Sequence, residues 1–312
     1  MQFSQTLAYH ASMLLDTERT LQFQRAIHAA VTEGDIVVDI GCGTGVLAFF
    51  ACQAGAQHVY AIERGPIVGL ARELAAANGF ADRVTVLHDP SWEVDVPEPV
   101  DVVVSETLWD FGLGEGIVDT IADASLRWLR PGGLVIPASF EMLLAPAGLA
   151  RRARPPAGFG DAYGLDLSRL TNAVVHSVGT VEDASTRLLG EMTRVGGLAL
   201  PYEGPEAIVL GGRLVVERAG FLDALAGSFR ARLFGKVFIS NVPPNEAPNW
   251  GHAVFPIEPP VRVEPGDLVE VEVVTSAHDD STWRWSTRVT RDGTTVAESR
   301  QSTQEGLLAA AD

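Results

Sequence analysis

The stretch Ile36-Val37-Val38-Asp39-Ile40-Gly41-Cys42-Gly43-Thr44-Gly45 decides how the rest of the chain is read. Its β-branched residues form a buried-strand run that stops at Gly41, and Val46 to Ala54 then carries the apolar density of a helix closed by Gly55. A glycine-rich bend between strand and helix lets backbone approach a ligand closely, and the helix start offers free N–H groups and partial positive charge. The spacing is Gly-x-Gly-x-Gly, not the dinucleotide Gly-x-Gly-x-x-Gly.

Outward from this stretch, Val59-Tyr60-Ala61-Ile62 reads as a second strand ending at Glu63, where an acidic side chain can accept both hydroxyls of a ribose. A helix from about Ile67 to Asn78 ends at Gly79, and Arg83 to Leu87 and Val100 to Val104 read as further strands. Leu134-Val135-Ile136 is a fifth, introduced by the turn Pro131-Gly132-Gly133. Short apolar runs alternating with helical stretches predict a parallel sheet with crossover helices. With Asp39 leading the glycines and Glu63 ending the next strand, the region resembles the nucleoside site of class I S-adenosylmethionine methyltransferases. That resemblance implies cofactor contacts from Asp39, Gly41, Gly43, Gly45 and Glu63. Asp89 and Trp92, after the third strand, are candidates to take the exocyclic amine and to stack on the adenine.

Length and charge set the frame. At about 150 residues per domain, 312 residues predict two domains. The formal charge of −17, with pI near 4.8, argues against a nucleic-acid binder, which needs clustered Lys and Arg, and suits cationic partners instead. Cys42 and Cys52 cannot build a disulfide framework, and no Cys/His cluster has zinc spacing, so no metal is expected. The first residues lack the pattern of a signal peptide, and no apolar run reaches the roughly 18 residues of a membrane span. A soluble protein of the reducing cytoplasm is the expectation. Beyond Pro137 alternation takes over in Arg213 to Glu217, Leu233 to Ile239 and Leu268 to Val274, which predicts antiparallel strands with one wet face in a sandwich or barrel. The division is therefore 1–137, an α/β unit of Rossmann-like type, and 138–312, an antiparallel β-barrel with a projecting arm at about 150–175 that begins in the basic stretch Arg151 to Pro156.

After the fourth strand comes Ser105-Glu106-Thr107-Leu108-Trp109-Asp110-Phe111-Gly112-Leu113-Gly114-Glu115. Two glutamates on the carboxyl side of a parallel strand can face each other across a hairpin as a doubly anionic clamp. Here the chain resembles the protein arginine methyltransferases, whose double-glutamate loop holds the substrate guanidinium; Glu106 and Glu115 fall on that motif. Met13 with Asp16 to Thr20 resembles the family's cofactor-covering helix, and Arg19 matches the arginine that meets the methionyl carboxylate. Trp128-Leu129-Arg130-Pro131-Gly132-Gly133 and Ile136-Pro137 resemble the crossing into the barrel. Tyr163-Gly164-Leu165-Asp166-Leu167 resembles the base of the dimerisation arm, and Pro248-Asn249-Trp250-Gly251-His252-Ala253-Val254-Phe255 the Thr-His-Trp loop. The resemblance implies a head-to-tail homodimer.

Three departures bear on substrate. Asn249 stands where the family has a histidine, with His252 as a neighbouring candidate to replace it. The paired tyrosines of the covering helix are missing, leaving Phe3 and Tyr9. Gly112, Gly114 and Gly116 make the hairpin more flexible than the family's bulky version. Glu106 and Glu115 are the expected catalytic pair, titrating together because like charges raise each other's pKa. His10, Met13, Trp109, Phe111, Asn249, Trp250 and His252 are the expected substrate contacts. The departures favour a methyltransferase of the bacterial small-molecule branch, acting on a guanidino compound or an electron-rich heterocycle such as an indole. A protein arginine N-methyltransferase is the alternative, and a non-catalytic cofactor-binding scaffold ranks third.

Overall fold

The computed structural model describes residues 3–150, 161–181, 185–244, 249–279 and 281–308. Helices α1 (Phe3–Leu15) and α2 (Thr17–Ala30) meet at Asp16, which is fully buried and caps α2 by accepting the Arg19 N–H at 3.0 Å. Then follow β1 (Ile36–Ile40), α3 (Val46–Ala54), β2 (His58–Ile62), α4 (Val68–Ala77), β3 (Val84–Leu87), a short 3-10 turn at Ser91–Glu93, β4 (Val100–Ser105), α5 (Ile117–Arg127) and β5 (Leu129–Ile136). These five strands pair in parallel in the order β3-β2-β1-β4-β5. Every residue of β1 is buried, as expected for a strand covered on both faces, and Val37, Val38, Val59 and Val103 are completely shielded from water.

The strand order reverses between β1 and β4. In open α/β sheets the crevice outside the carboxyl ends at such a point is where ligands bind. Here it brings the glycine loop after β1, Glu63 after β2 and Glu106 after β4 to one edge, because β1 pairs with both β2 and β4.

The remaining strands are antiparallel. They are β6 (Ser139–Leu149), β7 (Asp161–Ala162), β8 (Leu165–Asp166), then α6 (Ser168–Val175), β9 (Gly179–Val181), β10 (Thr186–Leu188), β11 (Thr193–Ala199) and β12 (Ala207–Val215). The chain continues through β13 (Gly220–Phe234), β14 (Val237–Ser240), β15 (His252–Val263), β16 (Leu268–Ser276), β17 (Trp283–Arg291), β18 (Thr294–Ser302) and α7 (Thr303–Leu308). One sheet is built on β10-β6-β13-β15-β9, with β11 and β14 attached, and a second runs β12-β16-β17-β18. β16 alternates between buried and wetter positions along its length, the expected one-wet-face pattern. The basic stretch from 151 lies outside the described residues up to 160, and the rest of the expected arm is the β7–β8 hairpin and α6.

Two local expectations are corrected. Leu233 to Ile239 is not one strand but a hairpin: Phe234 pairs with Val237, and Gly235 at φ 54° makes the two-residue turn between β13 and β14. Pro131-Gly132-Gly133 is not a turn before β5 but an irregularity within it. Val100 pairs with Leu129 and Val102 with Leu134, and Gly132 at φ 80° accommodates the extra residues.

Among the described residues no helix is long and apolar enough to cross a membrane, and no His, Cys, Asp and Glu group has the makings of a metal site. Cys42 and Cys52 are free and buried, and burial pushes both thiols up, so neither is a poised nucleophile.

Asp39, one residue before the end of β1, is in an unusual state. Its Oδ2 accepts the Ala48 N–H at 3.0 Å, Oδ1 is buried without a partner among the described residues, and burial raises the carboxyl from 3.8 to about 7. The folded protein therefore holds this proton more tightly than the unfolded chain, and the stability it contributes is present below about pH 4 and lost as pH rises towards 7. Denaturant titrations from pH 4 to 8 should show wild type losing stability relative to Asp39→Asn across that window, by on the order of a few kcal/mol. A difference that stays flat with pH would refute the assignment.

Candidate active site

A cavity of about 1560 Å³ opens at the carboxyl ends of β1, β2 and β4, walled by the glycine loop, α1, the segment after β4, the start of α5 and Asn249-Trp250. At one end, Glu63 is oriented by two backbone donors: the Gly43 N–H reaches Oε2 at 3.0 Å and the Gly65 N–H reaches Oε1 at 2.5 Å. Gly41 and Gly43 line the wall, and the Gly41 N–H donates to the Ile62 carbonyl at 2.9 Å, tying the loop to the end of β2. Gly43 has φ 54°, and a Cβ there would stand 2.7 Å from His10 Cε1, so only glycine lets α1 come down on the loop. His10 therefore stands over the glycine loop, where it lines the cavity. Burial lowers its pKa, with Glu63 opposing, which leaves a neutral imidazole at neutral pH. Asp89 and the exposed Trp92 lie at the rim, where Arg127 braces the 3-10 turn by donating to the Ser91 carbonyl at 3.0 Å and to Asp123 at 2.9 Å.

Two expected cofactor contacts sit behind the wall instead. Asp39 is beneath the loop, holding the first turn of α3, and Gly45 caps that helix. Their part is to shape the loop.

At the other end, the Ser105 hydroxyl donates to the Ile40 carbonyl at 3.0 Å, which sets the end of β4 against β1. Glu106 follows directly. Its carboxylate pairs with the Arg19 guanidinium, the two side chains being 8% and 11% exposed. Arg19 also donates to the Met13 carbonyl at 3.4 Å and lies 5.8 Å from the centre of the Trp250 ring. Burial lowers the Arg19 pKa, while Asp16, Tyr9 and Glu115 pull it up. Glu115 is exposed at the cavity edge and has φ 53°, a left-handed conformation that costs a non-glycine residue about 1–2 kcal/mol. It sits close enough to Tyr9 to add to the burial that raises the phenol's pKa.

Several sequence expectations are corrected here. Phe111 is completely buried against Phe255 and Trp283 and touches no cavity wall. Trp109 points to the other face of the hairpin, where its Nε1 donates to Thr180 Oγ1 at 3.1 Å and its ring lines a separate cleft of about 260 Å³. His252 is buried in β15 with Nδ1 3.0 Å from the Ser228 hydroxyl, so it does not stand in for the missing loop histidine. Asn249 does line the cavity, and its Nδ2 donates to the Ser12 carbonyl at 3.0 Å and to Asp16 Oδ2 at 3.3 Å, holding the α1–α2 junction. Nor are the hairpin glycines a source of slack: a Cβ on Gly114 would stand 2.6 Å from Trp109 Cβ, and one on Gly112 would stand 2.9 Å from Phe140. Phe3 carries no described side chain, whereas Tyr9 and Met13 line the cavity.

The residues missed from sequence are Asp110, Asn241, Thr180, Asp16 and His88. His88 lines the cavity rim. The others are polar side chains that hold the walls together. A carboxylate set between Trp109 and Phe111 was the available signal for Asp110, since an acid in an apolar run needs a partner once buried.

Comparison with known proteins follows the same geometry. A family model described as ribosomal protein L11 methyltransferase (PrmA) matches residues 17–138. Probable protein arginine N-methyltransferase 6 of Arabidopsis thaliana is 39% identical over 164 residues, which is 52% of this chain and 38% of that protein. Protein arginine N-methyltransferase 1 of Saccharomyces cerevisiae is 30% identical over 282 residues, covering 86% of this chain and 81% of the relative. The chain spans less than half the length of the first curated relatives it matches, 38% and 49% of two of them. In fold, it superimposes on the Trypanosoma brucei PRMT1 enzyme–prozyme heterotetrameric complex with AdoHcy at a TM-score of 0.79, 20% identity, 94% of this chain and 97% of that one. Protein arginine methyltransferase 10 of Arabidopsis thaliana gives 0.78 at 22% identity, over 96% and 99% of the two chains. At these identities the likeness is one of fold, a parallel sheet followed by antiparallel sheets in this chain. With a relative 30% identical across most of both proteins, the chain belongs to the protein arginine N-methyltransferase family.

Proposed function

We propose that this chain is an S-adenosylmethionine-dependent protein arginine N-methyltransferase. The observation that carries the reading is one continuous cavity with Glu63 and the glycine loop at one end and Glu106 and Glu115 at the other. The small-metabolite reading is set aside. Its supports were the vacated histidine position, the missing tyrosine pair of the covering helix and a slack hairpin. Phe111 is core, Trp109 faces elsewhere, the glycines are tightly packed and Asn249 is engaged by α1 and Asp16. The relatives, moreover, are named for protein arginine and lend no support to a small-molecule branch.

The residues present fit the cofactor. Glu63 is already held as a hydroxyl acceptor, Gly41 and Gly43 line the same wall, and Arg19, paired with Glu106 in this structure, stands in the cavity as a cation for a carboxylate. Bound there, S-adenosylmethionine supplies a methyl group on a sulfonium, open to in-line displacement. Glu106 and Glu115 accept N–H bonds from the incoming guanidinium, fix its plane and keep its positive charge away from the attacking nitrogen. Neither carboxylate needs to be a strong base. α1 and the Asn249-Trp250 corner wall the cavity and narrow its access to water.

The proposal includes a domain boundary near Pro137, a homodimer and a reducing cytosolic setting for the two free thiols. Tyr163, Leu165 and Leu170, 96%, 58% and 48% exposed on the hairpin and α6, offer an apolar surface for a second copy.

With methyl-labelled cofactor, an arginine-glycine-rich peptide should take up label, and free arginine and tryptophan-derived molecules should not. Label confined to the small molecules would overturn the reading. Glu106→Gln should lower peptide turnover by roughly 10²–10³ while S-adenosylhomocysteine binding stays within about twofold of wild type, read by calorimetry. Glu115→Gly separates function from stability in a different way. It relieves the left-handed strain, so the melting temperature should hold or rise while methyl transfer falls; unchanged turnover would remove Glu115 from the clamp.

A further inference from the structure

Asp110 lies midway along the Glu106–Glu115 hairpin and is buried, yet it faces no cation in the contacts it makes. Its Oδ1 accepts the Gly251 N–H at 2.7 Å and its Oδ2 accepts the Thr180 hydroxyl at 2.5 Å. The Asp110 carbonyl accepts Asn241 Nδ2 at 2.8 Å, and the same Nδ2 reaches the Gly251 carbonyl at 2.7 Å. Asn241 is itself completely buried and its Oδ1 takes the Phe229 N–H at 2.7 Å, which roots this cluster in β13. Beside it, Trp250 Nε1 donates to the Leu108 carbonyl at 3.0 Å. The middle of the hairpin is thus bolted to residues 250 and 251.

Followed further, these contacts close into a ring. Asn249 holds Ser12 and Asp16 at the α1–α2 junction, the Asp16 carboxylate caps α2 at Arg19, and Arg19 pairs with Glu106, the first residue of the hairpin. One circuit therefore runs from the clamp through Asp110 to the barrel corner, on to the covering helices and back to the clamp.

From this we infer that Asp110, with Thr180 as its outer partner, is a positioning residue that sets the Glu106–Glu115 clamp against the Asn249–Gly251 corner and the covering helices. This deepens the arginine methyltransferase reading and rests on it. A carboxylate is needed because it accepts on both sides. It receives the Gly251 N–H, and it orients the Thr180 hydroxyl so that the oxygen can in turn accept from Trp109 Nε1. An amide at 110 would present N–H to Thr180, compete with Trp109 for the hydroxyl oxygen and leave the Thr180 proton without this acceptor. Charge-assisted bonds of this kind are about twice as strong as neutral ones, so the swap loosens the hairpin without emptying the space.

Thr180 is exposed, so replacing it leaves the core intact. The test compares Asp110→Asn, Thr180→Val and Thr180→Ser in the full chain. Asp110→Asn should lower kcat on an arginine-glycine peptide by roughly ten- to a hundredfold, the scale of a small misplacement of reacting groups. Thr180→Val should lower it several-fold and Thr180→Ser restore it, with S-adenosylhomocysteine affinity unchanged in all three and the loss of turnover exceeding anything the change in melting temperature accounts for. Hydrogen exchange should quicken across residues 106–116 and 249–251 in Asp110→Asn and Thr180→Val, and not in the parallel sheet. Wild-type exchange in both variants, or losses of turnover that track losses of melting temperature, would overturn the positioning role. A wild-type protein that methylates no arginine substrate would instead sink the arginine reading, and the exchange pattern would still judge Asp110.

Discussion

A guanidinium and a carboxylate that are both about nine-tenths buried have given up most of their water, and the Arg19–Glu106 pair makes the demands of that exchange visible. Removing one member of such a pair typically costs about 3–5 kcal/mol, because the other is left buried and unmatched. Arg19 cannot shed its charge, so its surroundings must receive it: Glu106 takes one edge, the Met13 carbonyl another, and the Trp250 ring lies alongside. The pair also joins two elements remote in sequence, α2 and the end of β4. Much of the cavity's shape follows from keeping it enclosed. Asp16 caps α2 at the arginine, Asn249 holds Asp16, and the segment carrying Asn249 is locked to the hairpin that begins at Glu106.

This arrangement makes the clamp stiff at one end and strained at the other. Glu106 emerges from a strand whose last hydroxyl is bonded to β1, so its direction is set by the parallel sheet. Glu115 sits at the far end in a left-handed conformation between Gly114 and Gly116, exposed, where a glycine would be more comfortable. Retaining a glutamate at such a place makes sense if its carboxylate has work to do in the cavity, since local strain is tolerated where the surroundings over-determine it. The hairpin between them supplies that constraint through tight glycine packing and the Asp110 contacts.

How legible this was depends on the range of the interactions concerned. β1 and α3 were read to the residue and β2, β3 and β4 to within one residue at an end, because short apolar runs and helices closed by Gly55 and Gly79 are local signals, whereas β5 begins at Leu129, ahead of the turn read before it. Glu63 and Glu106 could be placed from the sequence because each directly follows a strand end, whereas Glu115, in the loop before α5, was placed only by its spacing from Glu106. The failures share a different cause. Trp109 and Phe111 are neighbours with opposite environments, and nothing in their own chemistry says which faces the cleft at Thr180 and which the core at Phe255. His252 reads as a pocket histidine until Ser228, distant in sequence, is seen beside it. Gly112 and Gly114 suggest slack until the rings of Phe140 and Trp109 close in.

By itself, then, the amino-acid order determined the alternating α/β pattern, the glycine loop with its flanking carboxylates, and the pair of glutamates after β4, since these depend on periodicity and on residues next to one another. Only the tertiary structure decided which side chains make the cavity wall and which hold it from behind. Asp39 and Gly45 moved behind the glycine loop, and Asp110, Thr180 and Asn241 emerged as the fastening of the hairpin. The physical reason is that a buried polar group must find partners wherever the folded chain brings them, and those partners come from β9, β14's end and the corner before β15, which lie far apart in the chain and meet only when the antiparallel sheet closes against the parallel one.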